Sequence, residues 1–451
     1  MPGRDLSFFL FLSCVILQAG CANVTATEPT DVVSDVQIVF SANPSLRGDT
    51  VNVRVESLPA GKEVVIEASR AGVWVPDDLY RSKVRFVADD QGVIDLTADT
   101  PVDSQWNSPD ANGLFWTMSN TGEQTPAGLG PEEIALRVVD SADTELAAAR
   151  LTLRASAKEL VETPLGERFP GAFVLRSEGD EPLPAIIVLG GSEGGDSGAR
   201  NSAPLWAARG YLVVGYPYYS PAWGDQPQAV PGLPRAFADI PVDRLAEVRD
   251  ALRARGDVQM DRIGLYGVSK GAEFVLAAAS RIDGFAAVAA IVPSDVIWEG
   301  WGAGTTAARS SSFSWRGEPM AFVPYLDMGR VFRPPSDGER VAMRVPHAEG
   351  RLAHPDAVDP ARIPVEDIDA PVFLLGGGRD QVWDSGLMAV NIAKTRADAG
   401  RVTETLVFAD AGHGLSGPPQ NPTRPENARA KAAAWPALNA FFTRHLRPDA
   451  D

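Results

Sequence analysis

The chain has 451 residues, 45% of them hydrophobic and 22% charged, a composition ordinary for a globular protein and a length suited to two or three domains. Its formal net charge of −18 argues against a nucleic-acid surface, which needs clustered Lys and Arg. Both cysteines, Cys14 and Cys21, lie near the start, which leaves no disulfide, cysteine-based zinc site or catalytic cysteine for the chain beyond them.

Residues Leu6 to Leu17 (LSFFLFLSCVIL) form an uncharged, mostly apolar run behind Arg4. The run is too short to span a bilayer, which takes about 20 residues, and fits the apolar region of a signal peptide. Ala19, Gly20 and Cys21 follow, in the manner of a bacterial lipobox whose cysteine is lipidated; Gln18 stands where a branched apolar residue is usual. The alternative is a plain secretory signal cut at Ala19 or Ala22. Either way residues 1–21 predict export, and the small, polar stretch 22–35 predicts a tether, with Cys21 the lipid-anchor site.

From Val36 to about residue 155, short alternating runs are broken by Gly and Pro. They include Asp49–Glu56, Glu63–Ala68, Ser82–Ala88, Gly92–Leu96, Glu133–Val139 and Ala149–Arg154. Period-two alternation at this spacing predicts an antiparallel β-sandwich of immunoglobulin-like type. Its aromatic cluster, Leu114-Phe115-Trp116, is read as core or interdomain packing.

Beyond residue 160 the texture becomes apolar strands alternating with amphipathic helices, which predicts an α/β domain over 160–446 with a mostly parallel sheet and helices on both faces. The expected strands begin at Ala172, Ala185, Tyr211, Arg262, Ala286, Pro371 and Thr403. Residues 293–368 break this rhythm and carry Trp298, Trp301, Trp315, Phe322 and Tyr325. Such an excursion after a strand predicts a cap over the active site. Its aromatics either line an acyl pocket or pack the cap onto the sheet.

Gly267-Val-Ser-Lys-Gly271 stands between an expected strand and an alanine-rich helix. This is the nucleophile elbow of an α/β-hydrolase, a turn too tight for side chains at its glycines, with Ser269 as the nucleophile. A serine needs a base, and the base an orienting acid, following in the order Ser, Asp or Glu, His. Of the four histidines, His347 and His354 fall in the cap and His445 at the end of the last helix. His413, in a glycine-flanked loop after the last strand, is the expected base. Asp380, after the preceding strand, is the expected acid, with Asp384 and Asp295 as competitors; Asp384 also reads as a helix N-cap. For the oxyanion, the Lys270 amide is one expected donor and the amide of Ser192 or Glu193, in the loop Gly190–Gly195, the other. The side chains of Lys270 and Glu273 are read as solvated or structural, without a chemical role. No metal cluster and no cofactor motif is visible.

A wider resemblance rests on Gly92–Leu96, Gly113–Met118, Gly190–Gly195, Gly267–Glu273, the Gly-Arg-Asp380 segment and Gly-His413. In this order they resemble the family of acyl-CoA thioesterases and bile acid-CoA:amino acid N-acyltransferases. The resemblance implies a Ser269/Asp380/His413 triad and fatty acyl thioester substrates. The conjugating members that this chain resembles use cysteine as nucleophile; serine forms an oxygen ester open to water and points to hydrolysis. Against a coenzyme A thioester stands the export signal, since such thioesters are cytosolic. The remaining readings are an exported carboxylesterase or peptidase on the same scaffold, and a non-catalytic envelope binding protein.

Overall fold

A computed structural model describes residues 35–448 apart from 74, 103, 105, 223–226, 303–308, 334–339 and 421–422. The expected signal segment, Cys21 and nearly all of the tether lie outside the described residues.

Two sheets occupy residues 36–154. Gln37–Phe40, Val53–Glu56 and Ile94–Asp95 pair antiparallel, with Val53–Glu56 in the middle. The second sheet runs in the order Ser45–Leu46, Glu145–Arg154, Glu133–Val139, Glu63–Ala71, Asp78–Val87, Ser119–Gln124, and is antiparallel except for its first pair. Alternation places Val53, Val55, Ile66, Phe86, Ile94 and Leu136 in one shared core. The segment beginning at Asp49 is extended strand only from Val53, and Ser119–Gln124 is a strand that no alternation announced. Leu114, Phe115 and Trp116 form a one-turn helix, fully buried, that packs this core against the end of the chain: Ala428 belongs to the same cluster and the Arg429 guanidinium lies 5.7 Å from the Trp116 ring centroid.

The remainder is built on eight strands: β1 (Leu160–Pro164), β2 (Phe173–Ser177), β3 (Leu183–Leu189), β4 (Leu212–Gly215), β5 (Val258–Val268), β6 (Ala287–Ile291), β7 (Val372–Gly377) and β8 (Thr403–Phe408). Their order in the sheet is β1-β2-β4-β3-β5-β6-β7-β8. The pairs β1–β2 and β2–β4 are antiparallel and every later pair is parallel. The edge strand β1 was not expected; its residues are mostly exposed and carry no apolar run.

Both sheet faces are covered, which is why β3 reads as an unbroken apolar run. Ile187 and Leu189 face one core with the helices α2 (Arg244–Arg255), α3 (Lys270–Ala279) and α6 (Ser385–Asp398). Ile186 and Val188 face the other with α1 (Ser197–Ala207) and α7 (Pro425–Leu446). There Trp206 packs against Trp435 and Phe442, with ring centroids 5.2 and 5.0 Å away.

Among the described residues of 293–368 lie short strands at Phe313–Trp315 and Glu318–Pro319, which join Ile240–Pro241, and two helices, α4 (Arg344–Ala353) and α5 (Pro355–Ala361). The cap aromatics are packing residues. Trp301 stacks on Phe237 at 4.4 Å and 11°, and Trp298 stacks on Tyr325 at 5.8 Å and 13°. Trp315 and Phe322 rest, half-buried, on the core beneath.

Candidate active site

Strand register brings the functional loops to one end of the sheet. Leu189 pairs with Gly267, Val268 with Ile291, and Gly377 with Phe408. The segments that follow β3, β5, β7 and β8 therefore leave the C-terminal edge side by side, where open α/β sheets hold their ligands.

Ser269 sits between β5 and α3 with φ 57° and ψ −119°, a conformation costly for a non-glycine residue, roughly 1–3 kcal/mol. Its amide donates to the Ile291 carbonyl at 2.9 Å. The glycines around it are required by space. A Cβ on Gly267 would lie 2.2 Å from the Gly271 carbonyl oxygen, and one on Gly271 would lie 2.2 Å from the Gly190 carbonyl oxygen. The elbow and the Gly190–Gly195 loop are thus in direct backbone contact.

The expected partners converge. The Ser269 hydroxyl donates to His413 Nε2 at 2.9 Å, and His413 Nδ1–H donates to Asp380 Oδ2 at 2.7 Å. Asp380 has no exposed surface. Its Oδ1 accepts the Val382 amide at 2.8 Å, and its Oδ2 also accepts the Ser385 hydroxyl at 2.6 Å. A carboxylate so supplied with donors is fixed in place. Trp383 closes one side of the imidazole, edge-on at 5.5 Å.

The competing residues lie elsewhere. Asp384 caps α6 through the Leu387 amide and pairs with Arg344; Asp295 pairs with Arg351 and accepts from Asn391 at 2.9 Å. His347 is buried among Trp298, Tyr325 and Trp383, its Nδ1 bonded to the Met343 carbonyl at 2.8 Å. Burial lowers its pKa to about 4. His445 packs on Phe441, and neither His354 nor His445 bonds to Ser269.

The glycine loop passes beside the nucleophile: a Cβ on Gly191 would lie 3.2 Å from Ser269 Cβ. Among the described residues, the amides of Lys270, Ser192 and Glu193 donate to no protein acceptor. The first follows from its place at the start of a helix, where N–H groups have no intrahelical partner. The Gly191 amide is occupied, at 2.9 Å, by the Glu193 carboxylate, and Tyr218 holds the loop by donating to the Gly190 carbonyl at 2.9 Å. Neither side-chain role of Glu193 and Tyr218 is legible in the motif, nor is that of Ser385.

Of the two readings for Lys270 and Glu273, solvated or structural, the structure shows the second: both are completely buried, with Nζ and Oε2 2.6 Å apart. Burial pulls the lysine's pKa down and the glutamate's up, so each charge is sustained chiefly by the other.

A cleft of about 790 Å³ lies next to this centre, lined by sequence neighbours of the triad and not by Ser269, His413 or Asp380 themselves. Gly190, Glu193, Val268 and Gly414 line it beside the triad, while Tyr80, Ser119 and Asn120 reach it from the N-terminal sheets. Arg424 gives it a cation, and the buried Lys431 lines it with an amine whose pKa burial and the neighbouring Arg70 lower to about 7. Among the described residues no group of His, Cys, Asp and Glu is arranged to hold a metal ion, and none of the helices is long and apolar enough to cross a membrane.

Residues 48–164 match the model of the acyl-CoA thioester hydrolase/BAAT N-terminal region, and residues 245–427 match that of the BAAT/acyl-CoA thioester hydrolase C terminal. Acyl-coenzyme A thioesterase 1 of Mus musculus is 26% identical over 400 residues, covering 82% of this chain and 87% of that protein. Acyl-coenzyme A amino acid N-acyltransferase 2 of Rattus norvegicus is 24% identical over 453 residues, covering 91% and 98%. Among solved structures, a dienelactone hydrolase described as putative, from Klebsiella pneumoniae, is 15% identical with a TM-score of 0.40, covering 64% of this chain and 100% of that one. With both halves of the family's architecture matched in order along one chain, the protein belongs to the acyl-CoA thioester hydrolase and bile acid-CoA:amino acid N-acyltransferase family, whose curated relatives include acyl-CoA thioesterases.

Proposed function

We propose that the protein is an exported serine hydrolase that cleaves acyl thioesters through an acyl-Ser269 intermediate. The observation that carries this reading is the hydrogen-bonded chain Ser269–His413–Asp380, with 2.9 and 2.7 Å links, at the C-terminal edge of the parallel sheet. His413 takes the serine proton as Oγ attacks the acyl carbon, and Asp380 holds the imidazole in the tautomer that can accept it. The amide of Lys270, together with that of Ser192 or Glu193, receives the developing oxyanion. His413 then returns the proton to the leaving thiolate, and water, activated by the same imidazole, releases the acid. Serine rather than cysteine favours this second step, because no thioester is kept for an amine to capture.

For the leaving group, Arg424 and Lys431 in the cleft suit an anionic carrier such as coenzyme A. The apolar run at residues 6–17 and Cys21 favour export and a lipid anchor, and with them an ester or amide leaving group found outside the cytosol. Relative kcat/KM on acyl-CoAs, p-nitrophenyl esters and aminoacyl amides separates these: the thioesterase reading requires the acyl-CoAs to lead. Intact mass of the mature protein decides between a lipidated Cys21, simple cleavage and a retained Met1.

A further inference from the structure

Directly behind the nucleophile, the Lys270 ammonium is held 2.6 Å from Glu273 Oε2 and 2.9 Å from the Ser312 hydroxyl. The rings of Phe313, Phe237 and Trp301 surround it, with centroids 5.0, 5.2 and 5.6 Å away. The other carboxylate oxygen of Glu273 accepts the Trp298 amide at 3.0 Å, and Ser312 donates onward to the Glu299 carbonyl at 3.0 Å. Ser312, Trp298, Phe313 and Trp301 all belong to the cap. The pair is thus the polar bolt between the first turn of α3 and the cap.

Stability gives no reason for a charged pair here. Every other residue of α3 is apolar or glycine and the helix is wholly buried. In such a setting the desolvation of two ions commonly equals or exceeds their attraction, and a well-packed apolar replacement is often neutral or stabilising. What the pair supplies that Leu or Met would not is direction. Lys270 carries the amide assigned to the oxyanion, and a donor displaced by about 1 Å forfeits on the order of a hundredfold in rate. Its own side chain, fastened at Nζ to the cap, fixes the peptide plane between a strained Ser269 and the helix.

We propose that the buried Lys270–Glu273 pair is a positioning element of the acyl-transfer centre, which holds the Lys270 amide in register by locking the elbow to the docked cap. The inference rests on Ser269 being the nucleophile. It predicts a split between turnover and fold. The double variant Lys270→Met/Glu273→Leu keeps a cooperative unfolding transition and a KM within about threefold of native, while kcat on a p-nitrophenyl ester falls by about 30- to 100-fold. A folded double variant with native kcat overturns the proposal, because a merely structural pair is replaceable by packing. If the double variant does not fold, Ser312→Ala decides: the proposal expects kcat down by about three- to tenfold at unchanged KM, and an unchanged kcat overturns it. Ser269→Ala, measured alongside, keeps the two readings apart. Activity in Ser269→Ala removes the serine mechanism itself, whereas an inactive Ser269→Ala beside a native-rate double variant removes only the positioning role.

Discussion

Ser385 donates its hydroxyl to Asp380 Oδ2 at 2.6 Å, sharing that oxygen with the Nδ1–H of His413. Ser385 opens α6 and is wholly buried, and it also accepts the Gly377 amide at 3.1 Å, so it ties the acid to the end of β7. A hydrogen bond to a charged group is worth about 1.5–3 kcal/mol. Ser385→Ala is expected to lower kcat by roughly ten- to a hundredfold with little change in KM. Asp380→Asn, which strands the imidazole in the wrong tautomer, is expected to cost about 10³–10⁴. Steady-state kinetics on one chromogenic ester compares the two, and a Ser385→Ala loss equal to that of Asp380→Asn would mean that the loop has collapsed rather than loosened.

His347 predicts an acid-side weakness. Burial among Trp298, Tyr325 and Trp383 depresses its pKa from 6.5 to about 4, with Lys270 and His413 adding to the depression and the Met343 carbonyl and Asp380 opposing it. Because the unfolded chain takes up a proton that the folded one refuses, stability is full above about pH 6.5 and falls as pH drops towards 4. The loss by pH 4.5 is about 2–3 kcal/mol. Urea unfolding at pH 7 and 4.5 measures it; His347→Phe should flatten the part of the slope between these values, and an unaltered slope would assign it to carboxylates.

Gly271→Ala tests the backbone contact between the elbow and the glycine loop. The added methyl would meet a carbonyl oxygen, a group with no room to rotate away. Loss of activity by at least about a hundredfold is expected, with a lowered Tm. Near-native kinetics in this variant would show that the loop yields without harm to the oxyanion site.

Arg424 separates leaving groups. If its charge meets an anionic carrier in the cleft, Arg424→Ala raises KM for acyl-CoAs by about tenfold and leaves p-nitrophenyl ester hydrolysis unchanged. An equal effect on both substrates would place Arg424 in the fold of the cleft and not in recognition.

How far the sequence discloses this centre depends on where each residue's partner lies. Ser269, Asp380 and His413 are legible because the chemistry demands a fixed order and each sits in a glycine-marked loop after an apolar strand. For Lys270 and Glu273 the choice between a solvated and a structural role is not legible, since a charged pair three residues apart also reads as a solvated helix face; their burial depends on a cap segment some forty residues later folding back over them. Ser385 reads as an ordinary helix start, and only the proximity of Asp380 gives it work. The cap aromatics admitted two readings because apolar periodicity does not say whether a ring faces a ligand or another ring. The strands Leu160–Pro164 and Ser119–Gln124 escaped for a simpler reason: they lie at sheet edges, mostly exposed, and carry no alternation to read.

The central claim, that Ser269 carries the acyl group, is tested most directly by labelling the folded protein with a fluorophosphonate and locating the adduct by peptide mass spectrometry. The serine mechanism predicts one adduct, on Ser269, lost in Ser269→Ala and slowed in His413→Ala. Labelling confined to another residue, or none on protein that still hydrolyses acyl esters, would contradict it.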